Sequence, residues 1–71
     1  MRKHESTARL FAHAMQKLGL PAERLAPKVG RSTSSVSRYR NGKTGAPNEV
    51  LLRLCELCGY ATLYEFYHEA L

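Results

Sequence analysis

The sequence predicts an all-α fold, a compact bundle of four to five short helices, and three observations carry that prediction. Apolar residues recur at helical spacing in short groups. Glycine or proline punctuates the chain between those groups, at Gly19, Pro21, Gly30, Gly42, Pro47 and Gly59. No stretch alternates apolar and polar residues over the length of a strand, and there is no internal repeat. With 71 residues the chain has room for one core, because a polypeptide of this size buries only about 60% of its unfolded surface. Residues 1–5 are read as a flexible N-terminal segment and residues 6–71 as the domain.

Ser6 or Thr7 is placed to cap a first helix running to about Leu18, with Ala8, Phe11, Ala14, Met15 and Leu18 on one face. Gly19 ends it. Pro21 suits the first position of a second helix, about 21–29, where a missing N–H does no harm; Leu25, Ala26 and Val29 form its inner side, and Gly30 stops it. Pro27 falls inside that helix and removes one of its backbone hydrogen bonds, so the helix is expected to be short or kinked. Ser32 caps a third helix, about 33–41, and Gly42 follows where a left-handed residue is wanted. After the turn sequence GKTGAP, Asn48 caps a fourth helix with Val50, Leu51, Leu54, Leu57 and Cys58 as its stripe, closed by Gly59. Thr62 and Glu65 are spaced as a capping box before a last helix carrying Leu63, Phe66, Tyr67, Ala70 and Leu71.

Charge is unevenly distributed. The formal net charge is +5, and from Arg24 to Lys43 every charged side chain is positive: Arg24, Lys28, Arg31, Arg38, Arg40 and Lys43. After Arg53 only the acids Glu56, Glu65 and Glu69 remain. Such a field favours a polyanionic partner. A membrane surface fits less well, since the basic stretch has no broad apolar face, and no apolar run approaches the roughly 20 residues that cross a bilayer. The opening MRKHESTARL has polar residues where a secretory signal needs an apolar core, which leaves a cytoplasmic, nucleoid-associated location as the expectation.

Residues 30–45, GRSTSSVSRYRNGKTG, concentrate hydroxyls and cations around two apolar residues. If 33–41 are helical and Val36 and Tyr39 face the core, then at about 100° per residue the opposite side carries Ser34, Ser37, Arg38 and Asn41. Short hydroxyl side chains allow close approach to a surface, and an arginine one turn on can fork onto a guanine edge. Taken alone, a solvated helix face would have the same composition. Its context, two short helices joined through Gly30 and a capping hydroxyl, is that of a helix-turn-helix.

The run GLPAERLAPKVGRSTSSVSRYRNGKTGAP resembles the helix-turn-helix core of the lambda-repressor-like (Cro/XRE-type) family, through Gly19-Leu20, Leu25-Ala26, Lys28-Val29-Gly30, Val36, Asn41-Gly42-Lys43-Thr44 and Pro47. LLRLCELCGY is similar to the family's fourth helix, so the resemblance covers about residues 8–66. It implies base contacts from Thr33, Ser34, Ser37 and Arg38. It implies phosphate contacts from Asn41, Lys43 and Thr44 in the following loop and another near Ala22 and Glu23; Arg31, Ser35 and Arg40 are read as further phosphate-contacting residues of this chain. The family binds double-stranded DNA, typically as a homodimer on a pseudo-palindromic operator. This chain departs from the pattern at Ala22, where glutamine is common, and at Met15 and Arg40, where many relatives carry an arginine–acid pair; Arg40 is thereby freed for phosphate.

Other residues invite sharper chemistry and are read more plainly. Cys55 and Cys58 form a C-x-x-C inside a predicted helix; zinc would need two more ligands, and His4, His13 and His68 are scattered. The pair is read as two small buried apolar residues. His13 beside a serine lacks an orienting carboxylate, so no catalytic role is expected, and no cofactor or metal. The C-terminal tyrosines and Phe66 either close the core or form a self-association surface. Arg2 and Lys3 either form an arm that reaches DNA or are solvated. The expected function is a transcriptional regulator, of repressor type in a phage or prophage setting; the alternative is an antitoxin-type module that binds a toxin and represses its own operon.

Overall fold

The computed structural model describes residues 3–71 and contains five helices: α1 (Glu5–Leu18), α2 (Ala22–Val29), α3 (Thr33–Arg40), α4 (Asn48–Cys58) and α5 (Leu63–Ala70). No strand occurs among the described residues. Helix α1 packs against α3, α4 and α5, while α2 packs against α3 and α4. Its central position explains why α1 buries a wider face than its main stripe implies. Leu10, outside the expected face, is 1% exposed, and it joins Phe11, Leu25, Val36, Val50, Leu54 and Phe66 among the largest enclosed side chains. Tyr67 and Leu71, expected on the inner side of α5, are instead exposed.

Helix starts follow local chemistry, with three shifts from expectation. Ser32 caps α3 as expected, its Oγ accepting the Ser35 N–H at 3.1 Å. Thr62 likewise accepts the Glu65 N–H at 3.1 Å. Helix α1, however, begins at Glu5 and not after a Ser6 or Thr7 cap: His4 is its N-cap, and the His4 N–H donates to the Gly42 carbonyl at 3.1 Å. Of the segment 1–5 read as flexible, residues 3 and 4 form a turn and Glu5 is helical. Met1 and Arg2 lie outside the described residues, and the Arg2 part of the expected arm with them; Lys3 is exposed. Pro21 and Pro47 each occupy the N-cap, one residue before the expected position in the case of Pro21 and in place of Asn48 in α4. Both prolines are extended, and each carbonyl accepts two first-turn N–H groups: Arg24 and Leu25 for Pro21, Val50 and Leu51 for Pro47. A residue in that role contributes its carbonyl, so proline's missing N–H costs nothing.

Helix α2 is indeed short, at eight residues with Pro27 inside it. Pro27 and Glu23 are both exposed, so the carbonyl that loses its helical partner lies on the water side. No helix among the described residues is long and apolar enough to cross a membrane.

Candidate nucleic-acid interface

The turn between α2 and α3 is set by Gly30, which adopts the left-handed conformation (φ 70°). Its N–H and that of Arg31 return to the carbonyls at the end of α2, with Arg31 N–H to Ala26 O at 3.0 Å. Chirality disfavours this conformation for residues bearing a Cβ. Ser32 then runs extended and caps α3, so a left-handed residue and a hydroxyl together redirect the chain within two positions.

Only two side chains of α3 are buried. Val36 is fully enclosed and Tyr39 is 7% exposed, its ring 5.1 Å from that of Phe11 on α1. The remaining surface belongs to the residues expected from the sequence: Thr33, Ser34, Ser37, Arg38 and Arg40 are all exposed. Ser35 is half-buried; its Oγ accepts from the Ser32 hydroxyl at 3.1 Å and from Arg38 Nη2 at 3.3 Å. Ser35 therefore lies between the cap and Arg38 and steadies that arginine one turn before it.

At the far end Gly42 is left-handed (φ 72°) and buried. Its N–H donates to Tyr39 O at 3.1 Å and the Lys43 N–H to Arg38 O at 2.9 Å, the two bonds of a Schellman motif. The His4 N–H caps the Gly42 carbonyl from α1, and a Cβ on Gly45 would stand 3.1 Å from the His4 ring. The loop is thus held at its base while Asn41, Lys43 and Thr44 remain exposed. One continuous segment, 33–44, brings together Thr33, Ser34, Ser37, Arg38, Arg40, Asn41, Lys43 and Thr44, with no carboxylate among them.

Arg31, just before the cap of α3, is engaged by the protein itself. Its Nη2 pairs with Glu49 Oε1 at the start of α4, and its Nη1 donates to the Gly30 carbonyl at 3.1 Å. The hydrogen bond to Glu49 first, and that to the Tyr39 hydroxyl second, push its already high pKa further up. Arg53 also reaches back from α4, with Nη1 3.5 Å from the Lys28 carbonyl. Glu49 and Arg53 escaped the sequence reading, since their partners lie 18 and 25 positions away and no local spacing connects them.

His13 Nε2 is 2.7 Å from the Tyr60 hydroxyl. Tyr60 stacks on Phe66 with centroids 5.4 Å apart, and Lys17 Nζ lies 5.1 Å from its centroid. Of the C-terminal aromatics, Tyr60 and Phe66 therefore close the core, while Tyr64 is 80% exposed. Cys55 and Cys58 are buried free thiols, and burial pushes both pKa values up.

Residues 7–62 match the model of a protein family described as a helix-turn-helix domain. No curated protein and no solved structure matches the chain. The family match spans most of the sequence and contains both α2 and α3 with the Gly30 turn between them. The chain belongs to this helix-turn-helix family, and DNA is the class of partner that membership indicates.

Proposed function

We propose that the protein is a sequence-specific transcriptional regulator that lays α3 in the DNA major groove, acts as a homodimer on a pseudo-palindromic operator, and represses. The observation that carries this reading is the acid-free surface of residues 33–44, in which only Val36 and Tyr39 turn their side chains into the core. A helix is about 10–12 Å across with its side chains, and the major groove is about 12 Å wide. Serine and threonine at the front of α3 permit the approach. Thr33, Ser34, Ser37 and Arg38 read base edges, with Arg38 suited to the O6 and N7 acceptors of guanine.

Arg40, Asn41, Lys43 and Thr44 hold the phosphates and set the register. Each cation that neutralises a phosphate releases counterions, so binding weakens as salt rises. No catalysis, cofactor or metal enters this function. Self-association is supported by Tyr64 and Tyr67 on α5 and Leu71 at its C-cap, exposed residues at helical spacing away from Phe66. Two copies related by a two-fold axis would present two α3 helices to half-sites about one helical turn apart.

Selection from a random duplex library at two salt concentrations tests the reading. It should return a two-fold symmetric motif, and that motif placed across a promoter should lower reporter output when the protein is expressed. Recovery of no motif at either salt concentration would refute sequence-specific binding; an asymmetric motif would refute the homodimer.

A further inference from the structure

Arg31 immediately precedes the cap of the helix assigned to DNA, yet its guanidinium is engaged by the protein itself. Glu49 and Arg53 stand one turn apart on α4, and both reach the α2–α3 segment, Arg53 at the Lys28 carbonyl before Gly30 and Glu49 at the Arg31 side chain after it. The Arg31 side chain is 31% exposed and that of Glu49 75%. Glu49 is also the first carboxylate in the sequence after Glu23. A carboxylate and a DNA phosphate offer a guanidinium the same thing, an anionic pair of oxygens matched to its planar fork.

We propose that Glu49 is an internal substitute for phosphate: it occupies Arg31 and so sets how strongly the domain grips any duplex. Glu49 is a positioning residue, acting through Arg31, and the inference rests on the DNA reading above. While the pair holds, Arg31 displaces no counterion from DNA. When Glu49 loses its charge, Arg31 becomes available to the backbone and adds one phosphate contact that is blind to sequence.

The test measures binding to the selected duplex and to an unrelated one as a function of salt, for wild type, Glu49→Gln, Arg31→Ala and the double variant. Both side chains reach the surface, so the circular dichroism spectra of all four proteins should coincide. Glu49→Gln should bind both duplexes about two- to fivefold tighter, the range set by an exposed ion pair. Its plot of log K against log salt should steepen by about 0.9. Arg31→Ala alone should leave the slope unchanged, and the double variant should return to the wild-type slope. A steepening that survives in the double variant would overturn the proposal, because loss of acid repulsion would then account for it. So would an unmoved slope in Glu49→Gln beside normal wild-type binding, which leaves the DNA reading intact. A wild-type protein that binds no duplex would instead remove the DNA reading and this inference together.

Discussion

Of the eight residues of α3 only Val36 and Tyr39 are buried, whereas the eleven of α4 bury Val50, Leu51, Leu54, Cys55 and Cys58. Helix α4 is held by its own apolar stripe. Helix α3 is held mainly from outside, by the Ser32 cap, the Schellman turn at Gly42, the His4 bond to that turn and the Phe11 ring beneath Tyr39. Placing the restraints at the ends and on one narrow edge leaves the rest of α3 free to be chosen for a partner. If α3 reads DNA as proposed, the same difference separates stability from recognition, and substitutions in the two helices should separate them too.

The largest effect is expected in α4. Leu54 is fully enclosed, so Leu54→Ala should cost about 2–5 kcal/mol of stability, read from the midpoint of urea unfolding, while leaving the selected motif unchanged below the melting temperature. A shifted motif would show that α4 shapes specificity. In α3 the pattern reverses: Arg38→Ala should leave stability within about 0.5 kcal/mol and cost about 1–3 kcal/mol in binding, relaxing base preference at one position per half-site. An identical motif from the variant would remove Arg38 from the base-reading set. Ser32→Ala lies between the two helices in kind, because the cap both stabilises α3 and orients its first turn. It should lower stability by about 1 kcal/mol, seen as a lower melting temperature, and an unshifted melt would mean that the Ser32 bond to Ser35 contributes nothing net. The smallest effects belong to single phosphate contacts. Arg40→Ala and Lys43→Ala should each weaken all sequences alike and flatten the salt slope by about 0.9; a slope unmoved by both would place them off the backbone.

The parts of this arrangement legible in the sequence are those encoded by neighbours. Gly30, Ser32 and Gly42 mark the turn, the start and the end of α3 within a few residues of where they act, and the two apolar residues in TSSVSRYR fix which side faces inward. Both helix starts at prolines lie one residue from expectation, because proline's fixed φ suits the N-cap, where Pro21 and Pro47 stand, as well as the first helical position expected for Pro21. Leu10 was missed because its burial depends on α1 having neighbours on several sides. Contacts between distant positions left no periodic trace: Arg31 with Glu49, His13 with Tyr60, His4 with Gly42. The surface of residues 33–44 was accordingly readable in advance, and the diversion of Arg31 from it was not.

Docking through the outward side of α3 and its following loop, as proposed, would leave a direct signature in solution. Titrating isotope-labelled protein with the selected duplex and following backbone amide shifts tests it most directly. The largest changes should fall at Thr33, Ser34, Ser37, Arg38, Lys43 and Thr44, with the interior of α4 little moved. Largest changes outside residues 31–44, with α3 undisturbed at saturating duplex, would contradict it.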